Sequence, residues 1–171
     1  YFVNKIGIEA SSTVILTEAS LTILYSVAWG LSIGVTALVA RRAGEKNFKA
    51  ASDIAVQSIL LGTFLSLIIS VIGFIFPKEI LLLMGASASV AEENYLFTQI
   101  MLTGNIVIVL LFINNAVFRG VGNASIAMKA LLIANAINIV LDPMLILGIG
   151  PFPKMGVVGA AIATTIGRSV A

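Results

Sequence analysis

The sequence predicts an all-α bundle of transmembrane helices, and three observations carry that prediction. The 171 residues are 59% hydrophobic and only 11% charged, against roughly half and a quarter in a soluble domain. Four uninterrupted apolar runs each reach the roughly 20 residues that a bilayer span needs. The connections between them alternate between strongly basic and mixed charge, the pattern of a chain threading a membrane. A closed β-barrel would instead show segments of about ten residues with alternating polarity.

The first run, 19–40, carries no charge. The second, 54–76, is closed by Pro77 and Lys78, and the third, 95–118, by Arg119. The fourth, about 126–147, holds Lys129 near its start and Asp142 near its end. A fifth begins near Gly156 and reaches the last residue, Ala171, incomplete. The chain opens on Tyr1, and Lys5, Glu9 and Glu18 interrupt any signal-peptide apolar region. Both ends therefore read as truncations of a longer protein. Residues 1–171 are expected to form one partial unit, with no flexible linker, low-complexity segment or internal repeat.

Composition excludes several chemistries. Without cysteine or histidine, disulfides, thiolate chemistry, Cys/His zinc sites and a Ser-His-Asp triad are all ruled out. No P-loop motif is present. The net charge of +2 would suggest nucleic acid only if the basic residues shared a soluble face. They sit at the ends of apolar runs instead, so no nucleic-acid partner, enzyme activity or bound cofactor is expected.

The loops set orientation. Arg41, Arg42, Lys46 and Lys49 follow the first run, and Arg119 and Lys129 join the third to the fourth. The opposite side carries Lys78 and Lys154 with Glu79, Glu92 and Glu93. Excess lysine and arginine marks the cytoplasm, so the first run passes outside to inside and the fourth exits outward. On this reading the basic residues are topology anchors, and the sequon at Asn123 faces the cytoplasm. Gly30 and Gly34, and the series Gly156, Gly159, Ala160, Ala163 and Thr164, are small residues at helical spacing that suit close helix packing in lipid.

The fourth run carries the candidate chemistry. Asn135, Asn138 and Asp142 stand at i, i+3 and i+7, which puts them on one face of a helix otherwise apolar. An ionised carboxylate at the centre of a span costs about 2.5–3.5 kcal/mol on insertion scales. A carboxylate held there is suited to take up and release a proton or a cation. Pro143 removes a backbone donor and should kink the helix, freeing the carbonyl of Ile139. The competing reading makes Asp142-Pro143 a plain helix end at the outer surface, as it would be if the span began at Gly120; Lys129 opposes so early a start. In the third run, Gln99, Asn105, Asn114 and Asn115 are each explained by helix–helix hydrogen bonds worth about 1 kcal/mol. Gln57 and Gln99 sit near run ends. Tyr25, Trp29 and Tyr95 read as core or interfacial aromatics. Thr164 and Thr165 offer hydroxyls that helices commonly satisfy internally. Arg168 has no assigned place.

Several segments together resemble a known family. They are Phe118-Arg119-Gly120-Val121-Gly122-Asn123, the stretch from Asn138 through Asp142-Pro143 to Gly148, and the stretch from Gly150 through Gly156 and Gly159 to Thr164. Gly30-Leu-Ser-Ile-Gly34 and Ala40-Arg-Arg-Ala-Gly44 complete the set. In order and spacing this resembles the multidrug and toxic compound extrusion (MATE) family over nearly the whole chain. The resemblance implies a twelve-helix transporter of two six-helix lobes, with this chain as helices two to five and part of six of the N-terminal lobe. It implies exchange of Na⁺ or H⁺ for cationic or amphiphilic drugs across, in a prokaryote, the cytoplasmic (inner) membrane. It implies a cation site drawing on Asp142 and Asn138, with Asn115 and Thr164 beside them, Na⁺ sitting at Asp142 and Asn138. The first-helix acidic residue and the C-terminal lobe, the remaining expected partners, are not in these 171 residues. Two alternatives stand beside this: a lipid-linked oligosaccharide flippase of the same superfamily, whose lumen would be more basic, and a structural membrane subunit that transports nothing.

Overall fold

The structure is a computed structural model that describes residues 8–149 and 152–170. Among these, seven helices follow one another: α1 Ile8–Gly44, α2 Phe48–Ile75, α3 Pro77–Leu83, α4 Ala88–Thr103, α5 Asn105–Gly120, α6 Ala124–Leu147 and α7 Gly156–Val170. α4 and α5 run on as one apolar stretch, so four stretches are long and apolar enough to cross a membrane: Thr13–Gly44, Phe48–Ile75, Ala88–Gly120 and Ala124–Leu147. α7 is a shorter apolar helix.

The helices outrun the apolar runs that predict them, because backbone hydrogen bonding rather than hydropathy sets a helix end. α1 starts well before Ala19 and carries Glu18 within it. α4 starts at Ala88, capped by the Ser87 hydroxyl, which accepts from the Val90 N–H at 3.4 Å. α2 ends at Ile75, and Pro77 opens α3 from its first turn, where a missing N–H costs nothing. The α1–α2 turn is tied by Glu45, which pairs with Arg42 at 2.7 Å and Arg41 at 3.2 Å. These hydrogen bonds, from Arg42 first and then Arg41, hold the Glu45 carboxyl below its ordinary range.

α2 shows how the bundle is built. Its buried residues are Ala51, Ser58, Gly62, Ser66, Ser70 and Gly73, while Leu60, Phe64, Leu67 and Phe74 point outward. A water-soluble helix would be the other way round. In lipid nothing drives leucine inward, so small residues take the interface and polar groups bind helices together. Ser70 donates to the Thr103 carbonyl at 2.9 Å and Asn105 to the Ser66 carbonyl at 3.2 Å. The Thr17 and Thr98 hydroxyls meet at 2.8 Å between α1 and α4. Gln99 reaches the Phe74 carbonyl at 2.9 Å, at the end of α2. Asn105 and Gln99 thus behave as helix-to-helix connectors.

α5 lies centrally, against α1, α2, α6 and α7, while α6 packs chiefly on α7. The α6–α7 approach is close because of glycine. A side chain at Gly159 would strike the Leu145 carbonyl, and one at Gly167 the Asn138 amide oxygen. The small-residue face of α7 is therefore Gly159, Ala163 and Gly167, all buried. The Gly30 and Gly34 pair departs from expectation. Nothing lies within 4 Å of a Cβ at either position, and the packed face of α1 is instead the one bearing Leu21, Ala28, Val35 and Val39.

Candidate functional site

α6 begins at Ala124, four positions after Gly120, and runs unbroken through Pro143 to a left-handed cap at Gly148 (φ 72°). Pro143 thus does not end the helix, and Asp142 lies inside it rather than at its end. Proline removes the N–H that would bind the Ile139 carbonyl, inside a helix that continues past it. One turn apart on this helix, the Asn138 Oδ1 and Asp142 Oδ1 atoms are both buried and without a hydrogen-bond partner. Two unpaired buried oxygens are costly, since a lost hydrogen bond leaves the full desolvation penalty in place. An amide oxygen and a carboxylate oxygen are also the hard donors that a small cation prefers, and the carboxylate alone can hold a proton. The residues present therefore fit a proton or a small cation.

Beside them lies a cavity of about 470 Å³ between α1, α5, α6 and α7. Asn138, Asn135 and Asn115 line it, with Tyr25, Arg119 and Arg168. The structure so brings Asn115, which is buried, onto the cavity that Asn138 also lines. Asp142 stands one turn further along α6 and is not among the lining residues. Thr164 is half-buried and is not among them either. Its neighbour Thr165 donates to the Ala161 carbonyl at 2.9 Å, the internal bond expected of a helical threonine. Asn114 is exposed and faces an adjoining cavity with Arg168 and Ser169.

Two residues of the cavity escape a reading of the sequence. Arg119, assigned there to topology, donates to the buried Ser32 hydroxyl at 3.1 Å and lines the cavity. Arg168, given no place there, donates to the Tyr25 hydroxyl at 3.2 Å, its guanidinium 6.0 Å from that ring. One signal was available: Arg119 is one helical turn from Asn115 and so shares its face. Arg168 had no such signal, because its depth follows only from the antiparallel packing of α7 on α6.

Comparison with known proteins agrees with this architecture. A family model described as MatE matches residues 1–144. The chain is similar to the FAD transporter of Shewanella oneidensis, at 32% identity over all of this chain and 38% of that protein. It is similar to the probable multidrug resistance protein NorM of Thermotoga maritima, at 31% identity over 99% of this chain and 36% of that protein. Its fold matches the crystal structure of MATE in complex with MaD3S with a TM-score of 0.90 and 31% identity, over 99% of this chain and 37% of that one. The chain thus spans little more than a third of the length of these relatives. Matched over most of its own length by the family model and in fold by the solved transporter, the chain belongs to the MatE family, the multidrug and toxic compound extrusion transporters.

Proposed function

We propose that a full-length protein carrying this chain is a secondary antiporter of a prokaryotic cytoplasmic membrane, exporting cationic or amphiphilic compounds in exchange for Na⁺ or H⁺. One observation carries the reading: the unpaired, buried Asn138 and Asp142 oxygens, one turn apart in a membrane-spanning helix. Coupling needs a group that the inward-open and outward-open states treat differently, because a binder of equal affinity shifts nothing. Asp142 is such a group, and a proton or cation held there neutralises it. Asn138 supplies a second oxygen to the same ion. Asn115, across the cavity, senses the change through Asn138, and Thr164 on the flank of α7 offers a further hydroxyl. The relatives named for multidrug resistance and for FAD support small amphiphilic cargo.

The test is efflux of a cationic or amphiphilic dye from cells holding equal membrane amounts of each variant. Asp142→Asn keeps the shape of the side chain but cannot lose a proton or neutralise a cation. It should reduce coupled efflux to background while the protein remains in the membrane. Efflux at the native rate by this variant would overturn the reading and return Asp142 to a purely structural place.

A further inference from the structure

The charge of the cavity itself points further. Among the described residues its lining contains two guanidinium groups, Arg119 and Arg168, and no carboxylate. Neither arginine forms an ion pair among the described residues. Arg168 is not a surface anchor: the adjacent Gly167 packs on Asn138 and on the Ala134 carbonyl, around the middle of α6. An arginine at that depth costs about 2.5–3.5 kcal/mol on insertion scales, and such residues are kept for function. Among the described residues it donates to the neutral Tyr25 hydroxyl, and no carboxylate there pairs with it.

We propose that this cavity binds the anionic head of an amphiphilic cargo, a phosphate or carboxylate carried on an aromatic or apolar body. The inference rests on the transport reading above and narrows its cargo to amphiphiles of negative charge. Guanidinium groups bind planar or tetrahedral oxyanions through paired N–H donors and are weakly hydrated, so they give up water readily to an anion. Two of them lining one concave site focus a positive potential inside it. The rest of the lining fits the body of such a molecule. The Tyr25 and Phe112 rings stand 6.3 Å apart at 57°, and Leu111, Met128 and Leu131 complete an apolar wall. The volume, about 470 Å³, lies in the usual range for small-molecule sites. Arg119 sits at the end of α5 nearest the basic connection and Arg168 deeper, so the anion is met first at the mouth and then within.

The test uses the purified full-length transporter and three fluorescent probes that share a pyrenebutyl body and carry a negative, neutral or positive head: pyrenebutyl phosphate, pyrenebutanol and pyrenebutyl trimethylammonium. Fluorescence anisotropy should show the phosphate binding at least about tenfold tighter than the alcohol, with the ammonium weakest. Arg168→Gln should remove that preference, Arg119→Gln should reduce it, and Arg168→Lys, which keeps charge but not the paired donors, should restore part of it. Should Arg168→Gln aggregate on gel filtration, the Lys variant and Arg119→Gln still decide the matter. Naphthyl phosphate should displace the bound probe; displacement by phosphatidate alone would assign the pocket to a lipid headgroup and overturn a soluble cargo. Equal affinity for all three probes, or preference for the ammonium, would overturn the inference outright. Asp142→Asn should keep phosphate binding while losing ion-driven transport. Binding without charge preference in a protein that still transports defeats the cargo inference alone. Phosphate binding in a native protein that no ion gradient drives defeats the antiport reading alone.

Discussion

Single atoms decide most of what is claimed for this chain. Asn138 and Asp142 share a helix face and an unmet need for hydrogen bonds, but they are not equivalent. Asn138→Ala removes a neutral oxygen and leaves the charge, so it should weaken ion-driven efflux by roughly tenfold or less, whereas Asp142→Asn should abolish it. Parallel efflux curves at equal expression check this; a larger loss at Asn138 than at Asp142 would contradict it. The sequence singles out both residues because a polar atom inside an apolar run has no cheap explanation. Asn105 was legible in type, as a helix connector, but not in partner, since nothing in a sequence pairs it with the Ser66 carbonyl. Arg119 and Arg168 were not legible as cavity residues. Any arginine near a helix end is already explained by topology, and only the packed structure separates an anchor from a cavity wall.

Among the elements, the contact of α6 with α7 is the one that builds the site. Gly167 lets Asn138 lie against the α7 backbone, so Gly167→Ala forces the amide oxygen or the Ala134 carbonyl to move. Such overpacking costs about 1–3 kcal/mol. Gly30→Ala, with open space around it, should be neutral or stabilising by up to about 1 kcal/mol, since alanine is the better helix former. Thermal unfolding of the two variants in detergent separates them; equal melting temperatures would contradict the packing described. The two glycine motifs look alike in sequence, and spacing alone suits both to a contact that, among the described residues, only the α7 series makes. What distinguishes them is which face of each helix meets a neighbour. The α1–α2 turn gives a pH-dependent case. Because Glu45 is held below its ordinary range by Arg42 and Arg41, the turn keeps its ion pairs to lower pH than a free carboxylate would. They are lost only as the pH falls through the lowered value. Carboxyl titration of Glu45 followed by NMR should have its midpoint below that of a free glutamate, and a midpoint at or above it would contradict the assignment.

For the whole molecule, four membrane-capable stretches and a shorter apolar helix were read correctly from hydropathy. Hydropathy could not show the join between α4 and α5 at Gly104, or α3, because both lie within or beside apolar sequence. Loop charge adds an orientation. Cysteine introduced at position 46 should react with an impermeant reagent only from the cytoplasmic side, and cysteine at position 92 only from outside; the reverse pattern would invert the bundle. The central claim is that the Asp142–Asn138 oxygen pair holds the coupling ion, and counterflow measures it most directly. In vesicles containing the full-length transporter, an imposed gradient of cargo should drive Na⁺ or H⁺ the opposite way. Asp142→Asn should show no such ion movement while still binding cargo. Ion counterflow at the native rate in the Asp142→Asn vesicles would contradict the account.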